Sequence, residues 1–474
     1  MRRLSSLFAA LLCTTLCAHA QTPTVTVTST PASVSFGTQS VGKTTSPLTF
    51  TAGVYPDSVA TADFNGDGKL DVATVNAEGS NISVLLGTGR GTFQPPVNYP
   101  DTLEPAFIVA ADLNGDGKPD LAVADYESNI SIFLNNGDGT FPSEPTNYPT
   151  GQGAVALAVG DLNGDGIPDL VAANYTADTV SVLLGKGDGT FGKATTYLMG
   201  ASPYSVALGD FNGDGKIDMA LSLQYSAAGK VGVFFGNGDG TFQNLVTSST
   251  GVGPTGLVAY DFNGDSKLDL AMGAAGTNGF GNTLCVLLGK GNGTFQPPVQ
   301  YVVGDDPTNT VAADFNGDGK EDLAVVSYGG ADFSILLGNG DGTFKPAVSY
   351  ITQLLPYAIA AGDFTGRGVQ DVVTLAPYFV DNVFLGNGDG TFQDYILLLT
   401  NTGSVGTDLV FSIAGTDAKD FGVHGTCAYL GPSGVCTLET SFSPKATGLR
   451  TATLQVKDPA GQLLTSVALT GSGK

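Results

Sequence analysis

The segment Asp63–Asp71 carries the side chains with the clearest chemical potential in this chain. Its sequence, Asp-Phe-Asn-Gly-Asp-Gly-Lys-Leu-Asp, places carboxylate or amide oxygens at loop positions 1, 3, 5 and 9 and a glycine at position 6. The backbone carbonyl of position 7 adds another oxygen. Calcium takes about six to eight oxygen ligands, and this spacing is that of the first part of an EF-hand loop. The segment therefore predicts a calcium-binding loop.

The pattern is intact in six copies, which begin with Asp at intervals of 49 to 53 residues. Three carboxylates crowded into each copy would repel one another without a cation. We therefore predict about six structural Ca²⁺ sites, with the seventh residue of each loop acting through its carbonyl. The predicted ligands are Asp63, Asn65, Asp67, Lys69, Asp71, Asp112, Asn114, Asp116, Lys118, Asp120, Asp161, Asn163, Asp165, Ile167, Asp169, Asp210, Asn212, Asp214, Lys216, Asp218, Asp261, Asn263, Asp265, Lys267, Asp269, Asp314, Asn316, Asp318, Lys320 and Asp322.

A complete EF-hand is excluded by position 12 of the loop. That position requires a bidentate Glu but is Thr74 in the first copy and is never acidic in the others. The alternative is a set of Asp-Gly turns that hold no metal. Repetition of the full ligand spacing in six copies favours calcium, because a turn needs only one or two of these residues.

Two copies depart from the pattern. The fifth has Ser266 where the others have glycine, so we expect a strained turn with all its side-chain ligands retained. The seventh, Asp363–Asp371, has Arg367 in place of a carboxylate. We expect its guanidinium to replace the ion by pairing with Asp363 and Asp371.

The repeat itself predicts the architecture. Each copy is followed by a second landmark that ends in Gly-Thr-Phe, and short apolar or alternating runs of strand length lie between the landmarks. The many glycines and the missing 3.6-residue periodicity exclude a helical solenoid. We predict an all-β chain, a seven-bladed β-propeller with about four strands per blade. The second landmarks end at Phe93, Phe141, Phe191, Phe242, Phe295, Phe344 and Phe392.

The two landmarks together resemble the FG-GAP or VCBS repeats of integrin-α-type propellers and of many bacterial secreted proteins. The resemblance covers about residues 52–395, the predicted propeller domain. It implies a calcium-stabilised scaffold that is often used in adhesion or recognition, and it implies no particular ligand.

The N-terminus predicts a secretory signal peptide at residues 1–20. Arg2 and Arg3 precede an apolar run, and Ala18-His19-Ala20 supplies the small-x-small pattern that precedes cleavage. The run is too short to cross a bilayer, and no later segment predicts a membrane span. We expect a secreted, cell-surface or periplasmic protein.

The chain ends predict a second, smaller domain. Residues 396–474 resemble the choice-of-anchor, hydin-like immunoglobulin-like family, whose usual opening segment is similar to Val34–Gly42, before the propeller. We therefore expect residues 21–51 to supply the first strands of this β-sandwich, or a linker, with the propeller inserted in it. In an oxidising compartment Cys427 and Cys436 are predicted to form a disulfide, with two free thiols as the alternative, and Cys285 is predicted to be a buried strand residue.

Composition limits the choice of partners. A formal net charge of −24 argues against nucleic acid, because no basic stripe is present to contact phosphates. The leading hypothesis is a noncatalytic extracellular module that binds a protein or a glycan. After signal cleavage the only histidine is His424, and no catalytic triad can be assembled around it.

The alternative function is a secreted polysaccharide lyase or glycosidase, because a propeller can present carboxylates over a central glycan site. The candidate acids lie outside the loops and show no pairing in the sequence. They are Glu104, Asp125, Glu127, Asp178, Asp305, Asp306 and Asp332.

Overall fold

In a computed structural model of the chain, repeated four-stranded antiparallel sheets follow one another. The structure describes residues 27–30, 33–39, 48–101, 104–224, 229–251, 253–275, 281–352, 355–377, 381–392, 396–401, 406–424, 429–431, 435–442, 445–446 and 448–473. The predicted signal peptide and Cys427 lie outside these residues.

Each repeat begins at an apolar strand, passes through the aspartate-rich loop and continues with a second strand that is buried along its whole length. The first three sheets contain β4 (Pro56–Ala62), β5 (Asp71–Asn76), β6 (Asn81–Leu85), β7 (Val97–Pro100); β8 (Pro105–Ala111), β9 (Asp120–Asp125), β10 (Asn129–Phe133), β11 (Thr146–Pro149); and β12 (Ala154–Gly160), β13 (Asp169–Asn174), β14 (Thr179–Leu183), β15 (Thr195–Leu198). The next three contain β16 (Pro203–Gly209), β17 (Asp218–Leu223), β18 (Lys230–Phe234), β19 (Val246–Ser249); β20 (Pro254–Tyr260), β21 (Asp269–Ala274), β22 (Thr283–Leu287), β23 (Val299–Val302); and β24 (Pro307–Ala313), β25 (Asp322–Ser327), β26 (Asp332–Leu336), β27 (Val348–Ile351).

The seventh sheet is assembled from two distant parts of the chain. Its strands are β28 (Ala358–Gly362), β29 (Asp371–Leu375), β30 (Asp381–Phe384) and the early strand β3 (Leu48–Phe50), which pairs antiparallel with β30. The sequence places the start of the propeller at residue 52, whereas the structure adds residues 48–50 to it. The edge of β30 would otherwise expose unpaired backbone groups, and β3 covers it.

The seven sheets close into a ring. The first strand of each sheet contacts the first strand of the next, from β4 through β8, β12, β16, β20 and β24 to β28, and β28 contacts β4. The apolar clusters are shared between neighbouring sheets, as where Val171 and Val180 pack with Leu221 and Phe234. Burying one such side chain contributes about 1.5–3 kcal/mol, so the stacked interfaces form the core. The prediction of an all-β propeller is confirmed.

The two chain ends pair with each other beside the ring. Strand β1 (Val27–Thr30) pairs antiparallel with β31 (Ile396–Asn401), and β2 (Ser33–Gln39) pairs parallel with β38 (Leu463–Gly473). The sheet orders are β1-β31-β36-β34 and β2-β38-β37-β33, with β32 and β35 as a separate pair. The remaining elements are β32 (Thr407–Asp408), β33 (Val410–Ala414), a 3₁₀ helix (Ala418–Asp420), β34 (Phe421–His424), β35 (Tyr429–Leu430), β36 (Val435–Phe442) and β37 (Gly448–Lys457).

One apolar core joins the two larger terminal sheets. Leu399 and Leu438 of one sheet pack in the same cluster as Leu454 and Leu469 of the other. Strands that precede the propeller in sequence thus complete two sheets whose other strands follow it. Within the described residues, no helix has the length and apolar character needed to cross a membrane.

Candidate metal-binding loops

Every aspartate-rich loop joins the end of the first strand of a sheet to the start of the second strand. In the first sheet the loop leaves β4 at Ala62 and enters β5 at Asp71. The topology repeats in each sheet, so the seven loops lie on one face of the ring. The glycine at position 6 adopts positive φ, 79° at Gly68, where a side chain would be strained.

The first aspartate of each loop binds the turn that follows it. Asp63 accepts hydrogen bonds from the backbone N–H groups of Asp67 (3.1 Å) and Gly68 (2.7 Å). Asp112 in the second loop accepts three such bonds, from Gly115, Asp116 and Gly117. These bonds fold the loop around a carboxylate.

The residue at position 3 is half-buried and the residue at position 5 is exposed. Asn65 Oδ1 accepts the N–H of Asp67 at 2.9 Å, and Asp67 Oδ1 accepts the N–H of Lys69 at 3.0 Å. The Lys69 ammonium lies 2.7 Å from Asp67 Oδ2 and, by this hydrogen bond, lowers the pKa of the Asp67 carboxyl. Asp265 and Lys267 form the same pair in the fifth loop at 2.9 Å.

The ninth residue has a different environment. Asp71 is fully buried and accepts the N–H of Phe64 at 2.8 Å and the N–H of Gly87 at 2.6 Å. One carboxylate thus links the loop to the second landmark of its own sheet. Burial raises the pKa of this carboxyl and of its equivalents, to about 6 at Asp269. The other five intact loops repeat both bonds, through Asp120, Asp169, Asp218, Asp269 and Asp322.

The donor set fits calcium in its chemistry, since carboxylate, amide and carbonyl oxygens are the ligands this ion prefers. An oxygen that accepts one N–H also keeps a second lone pair. The loop carboxylates nevertheless accept hydrogen bonds from their own backbone, and in the first, second, fifth and sixth loops a lysine pairs with the position-5 aspartate. Among the described residues no group of three or more Asp, Glu, His or Cys side chains is gathered as a metal cluster. In those four loops an ion would displace the lysine ammonium from position 5.

The fifth loop keeps its shape without the glycine. Ser266 has φ 64°, the left-handed conformation expected for this position, and its N–H donates to Asp261 Oδ2 at 2.7 Å. The turn is therefore strained at a non-glycine residue, and the hydrogen bond of the other loops is kept.

The seventh loop holds an internal cation. The Arg367 guanidinium donates to Asp371 Oδ1 at 2.8 Å, as predicted, but its second acceptor is Thr365 Oγ1 at 2.6 Å and not Asp363. Asp363 instead accepts the backbone N–H of Arg367 and of Gly368. The buried Asp371 is the acid that requires a positive neighbour, so the arginine points to it.

The second landmark connects neighbouring sheets, a role that its sequence did not predict. Phe64 in the first loop meets Phe141 of the next sheet edge-on, with ring centroids 5.7 Å apart. Gly293 of the fifth sheet donates its N–H to Phe211 O in the fourth loop at 2.8 Å. One sequence signal could have revealed this contact between sheets. In all seven repeats an aromatic residue or leucine stands at loop position 2, and the phenylalanine of Gly-Thr-Phe follows later in the same repeat.

The sequence pattern called the FG-GAP-like repeat matches residues 63–123, 112–172, 161–221, 210–272, 274–325 and 314–374, more than half of the chain. The chain belongs to the FG-GAP-like repeat family. Its loops and second landmarks are thus the recurring parts of an FG-GAP-like repeat, placed here around a closed ring.

Solved propeller structures resemble this FG-GAP-like repeat protein at low sequence identity. The crystal structure of BBS1N in complex with ARL6DN, soaked with mercury, has 14% identity and a TM-score of 0.51, over 73% of this chain and 97% of that one. The periplasmic gluconolactonase PpgL of Pseudomonas aeruginosa has 17% identity and a TM-score of 0.47, over 63% and 85%. At these identities the likeness concerns the fold alone. No curated protein sequence matches the chain.

The acids considered for catalysis lie away from the loop face. Asp125 is fully buried, and its pKa is raised to about 9 by burial and by the neighbouring Asp101. Asp306 and Asp332 both interact with Asp305 in the sixth sheet, and burial raises the pKa of each to about 6. Glu104, Glu127 and Asp178 belong to turns of the second and third sheets. The acids are thus dispersed over three sheets. Of the predicted disulfide, Cys427 lies outside the described residues, while Cys285 is buried in β22, as predicted.

Proposed function

We propose that this protein is a secreted, calcium-stabilised propeller that acts as a noncatalytic extracellular binding or adhesion module. The observation that carries the proposal is the placement of six oxygen-rich loops at equivalent positions on one face of a closed ring. Each loop contains a half-buried carboxylate at position 1, an exposed one at position 5 and a buried one at position 9. Calcium would neutralise this charge and, in the four loops with a lysine–aspartate pair, take the place of the lysine ammonium.

Calcium is proposed to stabilise contacts between sheets. The loop of one sheet is bonded to the second landmark of the next, as Phe262 O is to Gly342 N at 3.1 Å. Ordering a loop would therefore also fix the neighbouring sheet. The metal would supply electrostatic attraction between loop oxygens, and the proposal assigns it no catalytic step.

Thermal unfolding in calcium and in chelator tests the calcium proposal. With dissociation constants of about 0.1–1 mM, millimolar calcium would contribute roughly 0.4–1.4 kcal/mol per site, hence several kcal/mol over the loops. We expect a higher Tm in calcium and a titration stoichiometry near six. Asp165→Asn should remove one site, whereas Asp188→Asn in an exposed second landmark should remove none. A Tm that is identical in calcium and chelator would refute calcium stabilisation.

Secretion and partner binding are tested separately. Full-length protein expressed in a secreting bacterial host should be exported and begin at Gln21, and retention of an intact N-terminus would contradict the predicted signal. The proposed partner is an extracellular protein or glycan. A propeller of similar fold, BBS1N, has been crystallised in complex with a protein, which supports the use of such a ring as a binding surface. Turnover of any member of a polysaccharide panel would replace the binding role by the enzymatic one.

A further inference from the structure

A cavity of about 390 Å³ lies on the axis of the ring. The first strands of the sheets, β4, β8, β12, β16, β20, β24 and β28, all contribute to its wall. Its volume falls within the range of about 300–1,000 Å³ that is typical of small-molecule sites. The loops proposed for calcium follow the other ends of these strands, so the cavity is a separate feature.

The wall of the cavity mixes apolar surface with neutral polar groups. Valine, leucine and isoleucine side chains alternate with hydroxyl and amide groups, and among the described residues Asp57 is the only charged one that lines it. The described wall contains no lysine, arginine or histidine, so it offers an anionic ligand no counter-charge. A neutral molecule that offers several hydroxyl groups on an apolar frame matches this wall. The polar residues are Asp57, Ser58, Ser205, Thr308, Asn309 and Thr310.

One hydroxyl in the wall is left without a protein partner. Thr310 is only 4% exposed, and its Oγ1 makes no hydrogen bond with the described residues. By contrast, Ser205 Oγ accepts the N–H of Leu257 at 3.1 Å, and Thr308 Oγ1 donates to Tyr357 O at 3.0 Å. A buried hydroxyl without a partner costs stability unless something else bonds to it. Thr310 is among the residues that line the cavity, and a ligand that reaches its hydroxyl would supply the missing bond.

Two tyrosines span the axis at the end of the cavity opposite the loops. Tyr204 is near the start of β16 in the fourth sheet, and Tyr357 immediately precedes β28 in the seventh, across the ring. Their hydroxyl oxygens are 3.0 Å apart. Edge-on contacts with Tyr175 (6.3 Å) and Tyr328 (6.2 Å) extend the pair into an aromatic band. Aromatic rings with polar tips can both pack on a sugar ring and bond to its hydroxyls.

We propose that the axial cavity binds a neutral polyhydroxylated ligand of sugar size, with Thr310 bonding to it and the Tyr204–Tyr357 pair lying over it. This inference rests on the proposed binding function and gives its ligand class. The shared chemistry is a neutral pyranose or polyol, either as a free molecule or as the terminal residue of a glycan.

Ligand-observed NMR and calorimetry on the full chain test the proposal. The probes are glucose, galactose, mannose, rhamnose and sorbitol, their short oligosaccharides, glucuronate as an anionic comparison and choline as a cationic one. We expect saturable binding of at least one neutral probe and none of glucuronate. Equal affinity for monosaccharide and oligosaccharide indicates a free sugar, and tighter oligosaccharide binding indicates a glycan end. Binding of choline or glucuronate in preference to every neutral probe, or no binding at all, would overturn the proposal.

Variants locate the site. Thr310→Val removes the unpartnered hydroxyl at constant shape, and Tyr204→Phe removes one hydroxyl of the pair; each should weaken binding roughly tenfold. Thr374→Val is the matched control, because Thr374 Oγ1 is also buried without a partner in the described residues but lies outside the cavity wall. Equal affinity in Thr310→Val and Thr374→Val would place the ligand elsewhere and contradict the inference.

The two proposals can fail independently. Each probe is titrated in calcium and in chelator, with Tm recorded in both. Sugar binding together with a calcium-independent Tm would refute only the calcium proposal. A calcium-dependent Tm without binding of any neutral probe would refute only the ligand class assigned to the cavity.

Discussion

The ninth-position aspartates act as buried acceptors in the folded protein. Asp169, for example, is fully buried and accepts the N–H of Leu162 at 2.9 Å and that of Gly185 at 2.7 Å. Leu162 lies in the loop, and Gly185 lies in the second landmark, where it forms an isolated bridge with Phe191. The carboxylate therefore fixes the relative position of the loop and the second landmark, whether or not an ion is bound.

Replacement of Asp169 by alanine should destabilise the protein in chelator as well as in calcium. Two buried N–H groups would lose their acceptor, at about 1–3 kcal/mol each, and Asp169→Asn should retain one of the two bonds and lose about half as much. Urea unfolding measures both variants. Lys193→Ala, at an exposed residue outside the loops, is the control and should change the free energy of unfolding by less than about 0.5 kcal/mol. An Asp169→Ala effect seen only in calcium would show that the side chain acts through an ion alone.

Arg367 should stabilise the seventh loop without calcium. Burial raises the pKa of Asp371 to about 6, and the guanidinium is its positive neighbour. Arg367→Met should therefore lower the free energy of unfolding by about 1–2 kcal/mol. Arg367→Lys should lower it by less, because lysine keeps the positive charge but lacks the planar guanidinium that donates several hydrogen bonds. Urea titrations in calcium and chelator should give equal losses. A loss that added calcium restores would mean that the seventh loop also takes an ion.

Residue spacing was sufficient to predict a tight aspartate-rich loop between two strands in each repeat, whereas calcium binding by its oxygens stays a prediction. It could not predict that Asp71 is bonded to Gly87, since that contact depends on the return of the chain after two more strands. Nor could it predict that Arg367 selects Thr365 over Asp363. Burial of Asp371 favours its pairing with the Arg367 guanidinium, and burial is a property of the assembled sheet.

At the scale of the strand, the second sheet carries a pair of buried acids. Asp125 ends β9, and its Oδ2 accepts the Ser131 hydroxyl at 2.7 Å, while Asp101 lies close enough to raise the Asp125 pKa to about 9 together with burial. The equivalent positions at the ends of β5 and β13 are Asn76 and Asn174, whose neutral amides also bond to serines, with Asn76 donating to Ser83 Oγ at 2.7 Å. Asp125 therefore stands where neighbouring sheets use a neutral amide.

The pair predicts a loss of stability as pH rises. The pKa of Asp125 is above its unfolded value of about 4, so its proton stabilises the folded state at low pH and this stabilisation declines as pH rises towards about 9. Above the values of about 6 to 7 to which burial raises the pKa of Asp306, Asp332 and Asp381, Asp125→Asn should abolish that slope, and it should stabilise the protein at pH 8 by a few kcal/mol. Unfolding measured from pH 7 to 9 tests this. A slope that persists in Asp125→Asn would assign the pH dependence to other groups.

The strand pattern of each repeat was readable because buried strands of β-branched and apolar residues alternate with glycine turns. The sequence could not show that the propeller includes β3, upstream of residue 52, because β3 has only three residues and its partner β30 is more than three hundred positions away. Short strands that complete a distant sheet leave no local periodic signal. The pairing of β1 with β31 was anticipated through the family resemblance of the chain ends.

For the whole molecule, the critical interface is the one between the last sheet and the first. Phe364 of the seventh loop meets Phe93 of the first sheet at 5.9 Å, and Gly91 donates its N–H to Phe364 O at 2.9 Å, the contact that other neighbouring sheets also make. This interface contains one further aromatic contact, in which the rings of Phe50 of β3 and Phe93 have centroids 5.0 Å apart. One aromatic cluster thus joins the N-terminal strand, the first sheet and the seventh.

Phe50→Ala should open the ring locally at this interface. Without its aromatic side chain, residue 50 would no longer contact Phe93, and the loss of a half-buried aromatic lowers the free energy of unfolding by about 1–3 kcal/mol. Strand β3 would then separate from β30 more often. Hydrogen exchange should therefore accelerate in β3 and β30 first, while β13 and β14 on the far side of the ring keep their protection. Val302→Ala, at a side chain that is 70% exposed, is the control and should leave exchange unchanged. Uniform acceleration in all seven sheets would mean that the ring unfolds as one unit, and that β3 closes it without forming a separate point of weakness.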